Sequence, residues 1–162
     1  MKKIAITQRL VNNDSYYEQR EMLDLKWGKA FKELDFLPII LPYECDFVNY
    51  FKEIEITGIL ITGGNDLNSI NPNELSQKRD HFEKELITYG IKNHIPIFAV
   101  CRGLQIVAEY FGSTLKPVEG QVNIQHLLEV NPLSKYYKNL KELSKVNSFH
   151  NYGIDTMGKD LI

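Results

Sequence analysis

Short apolar blocks alternate with longer stretches in which apolar residues recur at three- and four-residue steps, an order that predicts parallel strands joined by crossover helices. Lys3 to Thr7 reads as the first strand. From Glu18 to Asp35, Leu23, Trp27, Ala30, Phe31 and Leu34 make one apolar helical face. Phe36 to Leu41 reads as a second strand, stopped by Pro42, and Phe47 to Glu53 as a short helix. Gly58 to Thr62 is a third, buried strand that Gly63 and Gly64 end. Gln77 to Asn93 predicts a second long helix with Phe82, Leu86 and Tyr89 on one side. Ile95 to Val100 is the fourth strand, uniformly apolar as the centre of a parallel sheet would be. The helix after Cys101 carries Leu104, Val107, Ala108 and Phe111 inward and ends at Gly112. Beyond Thr114 the pattern weakens: Ser113 to Val118 suits a strand, while Gln121 to Ser144 is polar and tyrosine-bearing and fits loops or a small antiparallel excursion.

At 162 residues the chain reads as one domain, residues 1–162, large enough to bury a core without disulfides or structural metal. A formal charge of -2 gives no electrostatic reason to expect nucleic acid or a membrane surface as partner, and homo-oligomerisation stays open. The apolar run after Met1 stops at Thr7-Gln8-Arg9, too short for a signal peptide. Nor does any stretch approach the roughly 20 apolar residues of a membrane span. Cys45 and Cys101 lie far apart in unlike contexts, which argues against a disulfide framework and for a reducing, cytoplasmic setting.

Cys101 carries the chemistry. Ile95-Pro-Ile-Phe-Ala-Val-Cys-Arg-Gly-Leu-Gln105 is an apolar strand that ends on a cysteine, passes a glycine and opens into a helical pattern, which is a nucleophile elbow. Such a turn lifts one side chain above the sheet, and the first N–H groups of the helix support a thiolate and can donate to an oxyanion. A cysteine thiol has a reference pKa of about 8.5, so a site must lower that value or supply a base. A lone cysteine in an apolar strand is more often a packing residue. The Cys-Arg-Gly turn at the strand's end reverses that balance.

Gln105, one turn beyond Cys101, shares its side of the helix. Thr62-Gly63-Gly64-Asn65-Asp66 follows a buried strand and exposes backbone N–H groups, so Gly64 and Arg102 can together form an oxyanion hole; alone, the glycines are a turn, and Asn65 and Asp66 helix caps. Of the four histidines, His81 reads as a surface residue, His94 as a helix C-terminal partner, His126 lies in the ambiguous region, and His150 follows a short apolar alternation. Cys45 has no adjacent base and receives no role. Ser134 to Lys141 is basic and aromatic, which suits a solvated helix face or a phosphorylated ligand.

Three segments together resemble the class I glutamine amidotransferase superfamily, in its γ-glutamyl hydrolase branch: Gly58 to Asp66, Arg79-Asp-His-Phe-Glu83 through Gln105, and Val146-Asn-Ser-Phe-His150. The resemblance implies a three-layer, flavodoxin-like, mostly parallel α/β sheet with helices on both faces. It implies that Cys101 attacks a γ-glutamyl amide and forms a thioester, that Gly64 and Arg102 supply the oxyanion hole through backbone N–H groups, and that Gln105, Ser148, Phe149 and His150 bind the substrate. No metal or organic cofactor is implied; the partner is a γ-glutamyl small molecule.

The family's catalytic base belongs to a C-terminal His-Pro-Glu motif, and these residues end at Lys159-Asp-Leu-Ile162 without one. The base and its carboxylate are therefore missing from this sequence, and a protein of this sequence alone is expected to turn over poorly. The run Ile6-Thr-Gln-Arg-Leu10, with Tyr16-Tyr17-Glu18, Arg20 and Trp27, looks closer to the amidotransferase-like proteins of bacterial surface-polysaccharide clusters, which include γ-glutamyl-CDP-amidate hydrolases. In that case Arg9, Arg20 or the stretch near Lys135 would meet phosphate. A glutaminase subunit delivering ammonia to a synthase, and a γ-glutamyl-binding module without turnover, remain the alternatives.

Overall fold

In the computed structural model, which describes residues 1–143 and 145–161, Lys2–Ile6 forms strand β1. Ser144 and Ile162, which end two stretches read above, lie outside the described residues. A hairpin follows, Arg9–Asn12 (β2) and Gln19–Met22 (β3), then helix α1 at Lys26–Glu33. Next come Phe36–Ile40 (β4), Phe47–Ile54 (α2), Gly58–Ile61 (β5), Glu74–Lys92 (α3), Ile97–Ala99 (β6) and Arg102–Tyr110 (α4). The chain folds as two units, Met1–Val107 and Ala108–Ile162.

The first unit holds a four-stranded sheet, ordered β4-β1-β5-β6, with every pairing parallel. The chain moves from β1 to one side, then returns past it, so winding reverses between β1 and β5. In such flavodoxin-like sheets a crevice opens at that point, beyond the carboxyl ends of the strands.

Alternation along the strands divides the core into two layers. Ile6 and Leu60 face α1, where they pack with Phe31, Leu23, Trp27 and Val100. Ile59 and Ile97 face α3, which comes so near that a Cβ on Gly90 would lie 2.9 Å from a methyl of each. On that side Phe47 and Phe51 of α2 stack edge-on or tilted against Phe82 and Tyr89 of α3. Helices thus cover both faces of the sheet, giving the three-layer α/β architecture.

Three local expectations need correction. The helix read over Glu18 to Asp35 starts only at Lys26, because Gln19–Met22 pairs with Arg9–Asn12 instead. The apolar periodicity that suggested it begins at Leu23, after the hairpin. Strand β6 is an edge, not the centre, of the sheet and leaves Phe98 69% exposed. In α4 the buried face is Arg102, Gly103, Ile106 and Ala108, while Leu104 is 51% exposed.

In the second unit, Thr114–Pro117 (β7) pairs antiparallel with Tyr152–Thr156 (β10), and Val122–Leu127 (β8) with Lys145–Phe149 (β9). Between β8 and β9 lies one short helix, Tyr137–Leu140 (α5). The polar stretch from Gln121 thus supplies one strand of an antiparallel excursion, β8, whose partner β9 follows that stretch. Among the described residues no helix is long and apolar enough to cross a membrane.

Candidate functional site

Cys101 sits between β6 and α4 with a left-handed φ of 55° and is exposed. Its neighbours hold it there. Val100 N donates to Ile61 O at 3.0 Å, Gly103 N to Val100 O at 2.9 Å, and Gln105 N to Cys101 O at 3.2 Å. Gly103 brings α4 directly onto β5: a Cβ there would lie 2.2 Å from Ile61 O. Only glycine permits that approach. Arg102, the first residue of α4, has a backbone N–H that the helix ladder does not use. Gln105 is half-buried one turn further on.

The turn after β5 meets this elbow. A Cβ on Gly63 would stand 3.2 Å from Cys101 Cβ and 3.6 Å from its Sγ. Gly64 has φ 85° and Asn65 φ 47°, both left-handed. The aliphatic stem of Arg9 lies across Gly64, 2.8 Å from where a Cβ would be. Asn65 is no helix cap here. It exchanges two hydrogen bonds with Leu10 of β2, accepting from its N at 3.0 Å and donating to its O at 2.8 Å.

Beneath turn and elbow lies a buried ion cluster. Arg79, Glu83, Arg102 and Asp80 are all buried, two guanidinium groups against two carboxylates. Arg79 Nη1 donates to Gly63 O (3.0 Å), Gly64 O (2.9 Å) and Asn65 Oδ1 (3.1 Å), and Nη2 to Thr62 O (2.8 Å). Glu83 Oε1 accepts from Arg79 Nε at 3.0 Å and from Thr7 Oγ1 at 2.9 Å. The Arg102 guanidinium bonds Glu83 Oε2 and Asp80 Oδ1. Burial pushes its pKa down from the usual arginine value; Arg79 adds to this, while Glu83 and Asp80 oppose it. Tyr43, which donates to Gln8 O at 2.5 Å, is pushed up by burial and by the Glu83 charge.

Sequence reasoning passed over this cluster as a working group, taking Arg102 only for its backbone N–H. The available signal was charged residues on the apolar side of a helix: Arg79 and Glu83 stand four apart, in phase with Leu75, Phe82 and Leu86. Removing one partner from such a set typically costs about 3–5 kcal/mol, because it strands a buried charge.

At the switch point a cleft of about 660 Å³ opens beside the turn, lined by Arg9, Leu23, Lys26, Trp27, Gly63 and Gly64 among others. Its cations are Arg9 and Lys26, and Asp24 is its acid. Arg20 turns elsewhere: its Nε donates to Glu18 at 2.6 Å and its Nη2 to Tyr16 at 2.9 Å. Lys135 lies over the ring of Tyr136, 4.9 Å from its centroid, in the second unit.

Within that unit, Ser148 is buried in β9 and its hydroxyl donates to Gln121 O at 2.8 Å, with His150 Nδ1 at 3.3 Å. Phe149 between them is exposed. The structure thus gathers Gly64, Cys101, Arg102 and Gln105 in the first unit, and Ser148, Phe149 and His150 in a hairpin of the second. His81 is exposed, 3.5 Å from Glu85. Cys45 is half-buried, its thiol pushed up by burial and by Glu21 and Asp46. No group of three potential metal ligands occurs among the described residues. An exposed sulfur on a tight elbow, beside backbone donors and a cleft, is suited to attack on a carbonyl carbon.

The profile of the peptidase C26 family matches residues 4–162. Over 162 aligned residues the sequence is 43% identical to the γ-glutamyl-CDP-amidate hydrolase of Campylobacter jejuni, covering 98% of this chain and 75% of that protein. A glutamine amidotransferase from Thermotoga maritima superposes with TM-score 0.60 at 15% identity, over 96% of this chain and 63% of the other. One from Methylobacillus flagellatus gives 0.58 at 11%, over 96% and 57%. At such identities the structural likeness speaks for the fold.

Proposed function

Since the chain belongs to the peptidase C26 family, a group of glutamine amidotransferase-like hydrolases, we propose that it cleaves the amide bond of a γ-glutamyl compound and releases glutamate. The observation that carries this reading is the exposed Cys101 at φ 55°, packed against the Gly63-Gly64 turn. The Cys101 thiolate attacks the γ-carbonyl carbon, and the carbonyl oxygen takes the negative charge. Backbone N–H groups of Gly64 and Arg102 receive that charge; losing one such donor typically costs about 3–4 kcal/mol of barrier. The C–N bond breaks as the nitrogen takes a proton from solvent water, replacing the one the Cys101 thiol gave up to solvent, and a γ-glutamyl thioester remains. Water then adds to the thioester, releasing glutamate and returning the thiol. Gln105 binds the γ-glutamyl group, as the resemblance implies.

The leaving group occupies the cleft. Arg9 and Lys26 suit an anion there, and Trp27 offers a ring face, a set consistent with a nucleoside diphosphate such as the relative's CDP-amidate. The likeness of the N-terminal run to proteins of surface-polysaccharide clusters supports a role in that biosynthesis.

Glutamate release over a panel of γ-glutamyl amides, a nucleotide amidate included, tests the reading. Cys101→Ala should abolish release with circular dichroism unchanged; undiminished turnover defeats the proposal. Arg9→Gln, which removes the charge but keeps the stem carbons that lie across Gly64, should raise KM for the nucleotide amidate while sparing a small γ-glutamyl amide without phosphate.

A further inference from the structure

Both donors of the oxyanion hole trace back to one buried carboxylate. Glu83 Oε1 holds Arg79, and Arg79 in turn binds three successive carbonyls of the turn, Thr62, Gly63 and Gly64, at 2.8 to 3.0 Å. Glu83 Oε2 holds the Arg102 side chain, whose residue supplies the other N–H. Thr7, following β1, ties the same carboxylate to the sheet: its Oγ1 donates to Glu83 and accepts from Thr62 N at 3.2 Å. Carbonyls pinned on the inner side of a turn leave its N–H groups aimed outward, because each peptide plane presents the two in opposite directions.

We propose that Arg79 and Glu83 are positioning residues that fix the Gly64 and Arg102 N–H groups relative to each other, so that the two donors act on one oxyanion. Neither side chain touches substrate. The cluster makes the spacing of the donors a property of the buried core rather than of an exposed loop. A lysine at position 79 keeps the charge but has one ammonium in place of a planar fork, so it cannot span Glu83 and the turn together.

This inference rests on the γ-glutamyl hydrolase reading, and its test separates the two. Arg79→Lys is compared with the parent protein for kcat, KM, thermal midpoint and the hydrogen-exchange rates of the Gly64 and Arg102 amides. Expected are a kcat lower by on the order of 10- to 100-fold, KM within about twofold, and faster exchange at both amides. Thr7→Val, which removes the Glu83 and Thr62 bonds at near-constant volume, should shift the same quantities in the same direction if Arg79→Lys does not fold. A lowered thermal midpoint with kcat and both exchange rates unchanged would mark the cluster as merely structural and overturn the proposal. If Cys101→Ala releases glutamate as fast as the parent protein, the functional reading fails, and the exchange rates alone decide the positioning role.

Discussion

Gly63 lies against Cys101 closely enough that an added methyl would crowd it: a Cβ would come 3.2 Å from Cys101 Cβ, a few tenths of an ångström too near, and 3.6 Å from Sγ. Neither side yields readily, since Arg79 holds the Gly63 carbonyl and Ile61 holds Val100. Gly63→Ala should therefore displace Cys101 by a few tenths of an ångström. Glutamate release is expected to fall at least about tenfold while stability drops by only about 1 kcal/mol, read from kcat and a urea melt.

Gly103 makes the opposite kind of demand. Its missing Cβ would stand 2.2 Å from Ile61 O and 2.8 Å from Ile61 C, both backbone atoms of β5. Gly103→Ala must push α4 off the sheet, with an expected loss of about 1–3 kcal/mol or more in chemical denaturation. A melt indistinguishable from that of the parent would contradict this packing.

The two cysteines should differ in reactivity. Cys101 is exposed, whereas Cys45 is half-buried and its thiol is pushed up by burial, Glu21 and Asp46, so less of it is thiolate than of an ordinary cysteine. Limited iodoacetamide near about pH 8 should label Cys101 first, as peptide mass spectrometry would show. Labelling of Cys45 ahead of Cys101 would be incompatible with this arrangement.

The β2–β3 hairpin carries a pH response of its own. The hydrogen bonds from Arg20 and then Tyr16 hold Glu18 down at about 2, against an ordinary 4.5. A carboxylate lowered on folding favours the folded hairpin above its ordinary value, and that support fades as pH falls through the folded one. Carbon-13 titration of Glu18 should show the depressed midpoint. Arg20→Ala should bring it back toward 4.5, and added salt should shrink the shift because the pair is exposed.

Much of the fold was legible. Strands β1, β4 and β5 and helices α2 and α3 follow from uninterrupted local patterns, although α3 starts at Glu74 rather than Gln77, where Asn73 caps it by accepting from Ser76 N at 2.9 Å. The hairpin at Arg9–Met22 was not, because Arg20 and Glu21 read as a helical surface until cross-strand pairing is known. The apolar run of β6 suggested a central strand, yet hydrophobicity alone does not say how many neighbours a strand has. At the site, the elbow and the glycine turn announced themselves through Cys-Arg-Gly and Gly-Gly. The phase of Arg79 and Glu83 with Leu75, Phe82 and Leu86 marked two members of the ion cluster, but the rest stayed hidden because Thr7 and Arg102 reach Glu83 only across distant segments.

The left-handed backbone of Cys101 sets reactivity against endurance. A side chain at φ 55° costs on the order of 1 kcal/mol that glycine would not incur. Cys101→Gly should therefore yield a protein that survives heating better than its parent and does no chemistry. Heat resistance and cleavage chemistry thus pull this one position toward different residues.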